Sequence, residues 1–416
     1  MSDASEPMQL ADMDALLAHL AVDSIDTAAE LISENTEPDA YLQEETGQFV
    51  LRMASHGCTL EFPMSVDDFW ELVHDLEDQV TGEWNRSSSQ GASEVGVHSE
   101  SDLGRHATDT SLKENRMVWN SPELFPANEP ARIARYRRLQ SWYRDEVLHA
   151  KAGASGNYPA LGSYLDKSEV AVNPRLNFLS DEALAHAEMR ISQVRAEGGA
   201  LDPTRLKHNM LSSMPLCFNL FGTMRGEPDF LEVFRELFDP EATTITDVVC
   251  EWAPQPSSDF LGDRTAFDAI VFYESKAGPR FCGIETKYTE AFSATEYDSA
   301  RYAAVTQESG WFKEPAVALV ELRGRKTNQL WRNVMLAAAV EAYGQHGTGW
   351  VAVVALQEDP GVKDAMGALV PALADAERLK FVPIETILDS ADGQPSLERW
   401  AADFRQRYVG PLPGGE

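Results

Sequence analysis

Two apolar runs, Phe267-Asp268-Ala269-Ile270-Val271-Phe272 and Phe281-Cys282-Gly283-Ile284-Glu285-Thr286-Lys287-Tyr288, flank a Lys-Ala-Gly-Pro stretch. Both runs are rich in β-branched and aromatic residues, and Gly278-Pro279 is strong turn punctuation, so the segment is predicted to fold as a β-hairpin. With residues 275–280 as the loop, Tyr273 and Glu274 pair near Phe281 and Cys282. Asp268 then falls opposite Lys287, with Glu285 on the diagonal. The two-residue repeat of a strand puts all three side chains on one face, and a slip of a single residue would scatter them.

Such a cluster suits the hydrolysis of a phosphodiester. Two neighbouring carboxylates repel each other unless a hard cation lies between them, and their oxygens fit Mg²⁺ or Mn²⁺. A lysine beside them could orient the attacking water and balance charge in the transition state, with the metal as Lewis acid and template. The plainer reading is a solvated strand face with a cross-strand salt bridge from Lys287 to Asp268, worth at most ~1 kcal/mol. Acid-x-Lys is a common tripeptide; a second copy, Glu274-Ser275-Lys276, falls in the predicted turn.

Asp268 followed by Glu285-Thr286-Lys287 resembles the PD-(D/E)XK motif of restriction-endonuclease-like nucleases, with Phe267 where a Pro usually precedes the Asp. The wider segments Leu211-Ser212-Ser213, Cys217-Phe218-Asn219-Leu220-Phe221-Gly222, Ile284 to Glu290 and Gln329-Leu330-Trp331-Arg332-Asn333 resemble a poorly characterised bacterial branch of that superfamily. The resemblance runs from about Trp119 to the C-terminus. It implies an α/β fold, a central mixed β-sheet flanked by helices, and a Mg²⁺- or Mn²⁺-dependent nuclease acting on nucleic acid, DNA in the first place. Defence against foreign DNA is a role such nucleases share.

The order of elements agrees independently. Glu227–Phe238 is predicted as a helix with Phe230, Leu231, Phe234, Leu237 and Phe238 on one stripe, ended by Asp239-Pro240. Thr244–Trp252 is predicted as a strand, followed by the hairpin, a helix over Asn328–Tyr343 closed by Gly344, an apolar strand at Gly349–Leu356, and a further strand opening Phe381–Leu388.

Other residues are candidates for the same site. Glu251, ending the first of these strands, could lean toward Asp268 as a third catalytic carboxylate and metal ligand; its bland reading is a strand-end charge. Related nucleases also carry a helper on the preceding helix, here Glu232 or Glu227. By the resemblance, Gln329 occupies a position that reaches toward the scissile phosphate, whereas Tyr288 and Glu290 are expected to support packing. Arg323, Arg325 and Lys326, just before the Gln329 helix, together with Arg332 within it, are the expected nucleic-acid contacts. Asn128–Ala150 is the densest basic stretch, with Arg132, Arg135, Arg137, Arg138 and Arg144 among aromatic residues; it is favoured as an amphipathic helix whose Arg stems cover apolar surface.

At 416 residues the chain exceeds one comfortable core. Its net charge of −32 is uneven: residues 1–116 hold 25 acidic and 5 basic residues, a net of −20, and the other 300 hold 42 and 30, a net of −12. An acidic α+β accessory domain is expected over 1–84, with helices near Asp12–Val22, Asp26–Asn35 and Val66–Val80 and strands around Phe49–Met53 and Cys58–Phe62. A flexible, Ser- and Gly-rich linker is expected over 85–117, and the nuclease-like domain over 118–416 with a helical lead-in at about 128–210. The acidic domain could bind a protein partner or compete with nucleic acid for the cleft; otherwise it is a solubilising appendage.

Cys58, Cys217, Cys250 and Cys282 show neither metal-finger spacing nor disulfide density, as fits a reducing cytoplasm. No run approaches a membrane span, no Gly-rich phosphate loop, HExxH or GxSxG is present, and homo-oligomers are open. A high negative charge is unusual for a partner of a polyanion. It sharpens an alternative: a nuclease fold without activity, acting as a binding module.

Overall fold

The computed structural model describes residues 119–412 except 294–296, 298, 325 and 345, and four strands nearer the N-terminus. The chain divides into two compact units, 1–107 and 108–416. In the first unit, β1 (Met8–Gln9), β2 (Asp39–Gln43), β3 (Gln48–Ser55) and β4 (Cys58–Met64) lie in the order β1-β4-β3-β2. The β3–β4 pair is an antiparallel hairpin closing at Ser55 and Cys58, where two strands were expected. The three expected helices of this region and the 85–117 linker lie outside the described residues.

In the second unit, β5 (Ala152–Ser155) and β6 (Tyr158–Leu165) form a separate two-stranded ribbon. A five-stranded sheet is built from β7 (Ala242–Trp252), β8 (Phe267–Ser275), β9 (Gly278–Thr286), β10 (Thr348–Ala355) and β11 (Leu379–Pro383), in the order β11-β10-β9-β8-β7. β8 runs antiparallel to its neighbours β7 and β9, whereas β10 runs parallel to both β9 and β11. This is the mixed sheet of a restriction-endonuclease-like core.

The central strands are apolar on both faces because both faces are covered by helices. Ala269, Val271, Cys282, Ile284, Ala352 and Val354 enter one core. That core is filled from α1 (Ala131–Trp142), α2 (Asp181–Ala196), α3 (Ser213–Cys217), α4 (Phe230–Leu237) and from helices near the C-terminus. Ile270, Phe281, Val351 and Val353 face the other core, filled chiefly by α5 (Asn328–Tyr343) and α6 (Pro360–Ala372). Alternate residues of one strand thus serve opposite cores.

Local chemistry explains the elements nearest the site. Ser180 caps α2 by accepting from the Ala183 amide, and Asp181 and Glu182 sit in its positively polarised first turn. α5 is buried on nearly every side, as its long apolar sequence demands, and ends at Gly344 as expected. The strand expected at Phe381 is the short β11, and a helix begins directly at Ile384.

The hairpin has a different register from the expected one. Ser275 pairs with Gly278 and Ala269 with Ile284, so the turn is only Lys276-Ala277 and Asp268 comes level with Glu285, not Lys287. Gly278, at φ 115°, supplies the tight reversal, and Ser275 Oγ bridges it by donating to the Gly278 carbonyl and accepting from the Ala277 amide. Pro279 stays inside the ladder opposite Glu274 and does not break it. The slip is two residues, one full strand period, so the side chains keep their faces.

Candidate active site

Asp268, near the start of β8, and Glu285, near the end of β9, face the core that contains α5. Phe267 fixes this corner: its buried ring stacks on Trp252, and a Cβ at Gly283 would come within 2.5 Å of it. A glycine is required where the bulky residue replaces the usual proline.

Asp268 is held through one oxygen. Its Oδ2 accepts from the Thr286 amide at 2.7 Å and the Thr286 hydroxyl at 2.8 Å. Burial, then the charge of Glu285, pushes its carboxyl up to about 7, against the opposing effects of Lys287 and the Thr286 bonds. Glu285 is buried, with both oxygens engaged: Oε1 accepts from Gln329 Nε2 at 2.7 Å and Oε2 from Asn333 Nδ2.

Lys287 follows the end of β9, and its backbone amide donates to the Val354 carbonyl of β10. Its Nζ lies 2.9 Å from Glu285 Oε1 and 3.1 Å from Gln329 Oε1, with the Phe292 ring at 4.8 Å. Burial alone would lower the amine's pKa, but Glu285 and then Asp268 outweigh it and hold it above the ordinary value. Gln329 is therefore a bridge. It donates to the acid and accepts from the lysine, and its Oε1 also accepts from the Ser293 amide.

Glu251 occupies the outer strand β7 next to the Cys250–Ala269 pair, at a left-handed φ of 53°. Burial, then Asp268 and Cys250, raises its carboxyl well above the usual range. Among the described residues no group of three or more His, Cys, Asp or Glu side chains is close enough to hold an ion. Asp268 and Glu285 nevertheless come level across β8 and β9, and Glu251 lies within electrostatic reach of both. The donor set fits a hard divalent ion: all are carboxylate oxygens, and burial, then the neighbouring acids, drives Asp268 and Glu251 toward the neutral form.

The remaining sequence candidates sort clearly. Glu232 is turned to solvent and paired with Arg235 at 3.5 Å, and Glu227 lies before α4; neither joins the cluster, because the stripe Phe230, Val233 and Phe234 uses the inward face of that helix. Glu290 accepts from the Ser213 amide and pairs with Arg205 at 3.0 Å, while Tyr288 is buried and donates to the Tyr408 carbonyl. Both support packing.

Arg323 and Lys326 are exposed close to the start of α5; Arg325 lies outside the described residues. Arg332 is engaged by Asp263 and Thr265 and lies 3.9 Å over the Tyr297 ring, so its charge is already matched by a carboxylate. In the basic stretch, Arg132 pairs with Asp359, Arg137 with Glu129, and Arg144 is buried. Cys217, Cys250 and Cys282 are free and buried.

Sequence reasoning missed Asn333 and the pair His186 and Arg190. Each sits at i,i+4 spacing: Asn333 with Gln329 in a helix that is otherwise apolar toward the sheet, and Arg190 with His186 in α2. A polar pair at that spacing on a buried face was the available signal.

A model of the PD-(D/E)XK nuclease superfamily matches residues 127–410, about two thirds of the chain. The chain belongs to the PD-(D/E)XK nuclease superfamily. No curated protein and no solved structure matches it significantly. As a nuclease-superfamily member the chain is matched to nucleic acid chemistry, and among its described residues no helix is long and apolar enough to cross a membrane.

Proposed function

We propose that the chain is a divalent-metal-dependent nuclease that hydrolyses phosphodiester bonds of DNA. The observation that carries this reading is the convergence of Asp268, Glu285 and Lys287 on one buried corner, with Gln329 bonded to both members of the Glu-Lys pair. A surface salt bridge needs no such arrangement.

In this reading Asp268 and Glu285, flanked by Glu251, would hold Mg²⁺ or Mn²⁺. When bound, the ion supplies Lewis-acid polarisation and neutralises charge developing on the phosphate. Lys287 positions the water that attacks phosphorus and offsets negative charge in the transition state. Gln329 keeps the amine and Glu285 in fixed relation, and Asn333 holds the second oxygen of Glu285. Arg323, Arg325 and Lys326 contact the backbone of the nucleic acid before α5.

The acidic N-terminal unit regulates access or binds a protein partner, and targeting in the cytoplasm depends on that partner. Defence against foreign DNA is the role we favour. Purified chain incubated with plasmid and with single-stranded DNA, in Mg²⁺ and in chelator, tests the reading. Metal-dependent cleavage is expected, abolished by Asp268→Asn. Tight DNA binding without cleavage by the wild type would assign the chain instead to the inactive, binding-module class.

A further inference from the structure

Successive carbonyls of a β-strand point to opposite sides, so one planar group cannot ordinarily donate to both. In β7 this rule is broken at Cys250 and Glu251: Arg190 Nε donates to the Cys250 carbonyl at 2.9 Å and Nη2 to the Glu251 carbonyl at 2.8 Å. The break is produced by the φ of 53° at Glu251, a left-handed conformation that a residue with a side chain adopts only when its surroundings impose it. One turn earlier on α2, His186 Nε2 accepts from the Cys250 amide at 3.0 Å. β7 is the edge of the sheet, so these backbone groups have no further strand to bond.

The guanidinium is itself fixed. It is buried, Nη1 donates to Gln193 Oε1 at 2.7 Å, and Glu197 lies 3.5 Å from Nη2. An arginine suits this place because its rigid fork matches two converging oxygens, which a lysine ammonium cannot do with equal definition.

We propose that Arg190 is a positioning residue. By gripping the two carbonyls it holds Glu251 in the left-handed conformation that turns its carboxylate toward Asp268 and Glu285, and His186 fixes the amide side of the same kink. The assignment rests on the metal-dependent reading above and extends it to a helix remote from the motif.

The test is a double-mutant cycle read by Mn²⁺ affinity, in wild type, Arg190→Lys, Glu251→Gln and the double variant, with folding checked by circular dichroism. Each single change is expected to weaken Mn²⁺ binding about tenfold or more. The double variant should bind no more weakly than Glu251→Gln, because Arg190 acts only through Glu251. Wild-type affinity in Arg190→Lys, or losses that multiply in the double variant, overturn the assignment. A second comparison needs no change at Arg190: Glu251→Gly should melt at a higher temperature than Glu251→Ala, since glycine enters the left-handed region freely. Equal melting temperatures also overturn it. If the wild type binds no Mn²⁺, the metal-dependent reading fails with it; if Asp268→Asn loses affinity while Arg190→Lys keeps it, only the positioning role fails.

Discussion

Lys287 is buried between an acid that it neutralises and an amide that it shares with that acid. Its removal has two consequences. Cleavage by Lys287→Ala is expected to fall by on the order of 100-fold or more, since a fixed positive charge at the developing anion is lost. In the absence of metal, Glu285 and Asp268 lose their counter-charge, and breaking a buried pair from one side costs about 3 kcal/mol. Single-turnover cleavage and thermal melts with and without Mn²⁺ check both; Mn²⁺ should recover the stability and not the rate. Asp268 gives a pH signature. An unfolded aspartate releases its proton near 4, whereas the folded carboxyl holds it up to about 7. Between those values the native state binds the extra proton, so metal-free stability falls as pH rises from about 4 to about 7 and then levels. Melting in chelator across that range should show the decline in wild type and its loss in Asp268→Asn.

At the scale of elements, the β8–β9 hairpin depends on the fit of Gly283 beneath Phe267. Gly283→Ala drives a methyl into a buried ring and is expected to cost about 1–3 kcal/mol by urea denaturation. Adding Phe267→Ala should relieve the clash, so the two costs should not add. The same hairpin shows what the sequence makes legible. Strand alternation identified the shared face of Asp268, Glu285 and Lys287, because facing depends only on parity. It misplaced the turn, because Gly278-Pro279 reads as a loop when only the local signal is weighed, whereas the ladder continues through both residues. Asn333 and Arg190 escaped for another reason. Each acts on a residue distant in sequence, Glu285 or the Cys250–Glu251 backbone, and no local pattern names such a partner. The α5 boundaries, by contrast, follow from its apolar run and Gly344.

For the whole molecule, the charge division is the dominant feature: −20 before residue 117 and −12 over the remainder. A chain beginning at Lys113 is expected to bind and cut DNA better than the full chain at low salt, because a tethered acidic unit stays at high effective concentration near any basic surface. The advantage should shrink as salt screens both contacts, which fluorescence anisotropy over a salt series measures. Equal affinity at every salt concentration would leave the acidic unit as a partner-binding or solubilising domain. The topology of the sheet also orders events in time. The hairpin that brings Asp268 level with Glu285 closes across two residues, a microsecond process by local contact alone. The parallel pairing of Thr286 with Val354 must wait for the whole of α5 to be laid down between them. Local closure is thus expected to bring the two acids level before the amides of Gln329 and Asn333 arrive to receive them, a stage at which the repulsion between the carboxylates opposes assembly.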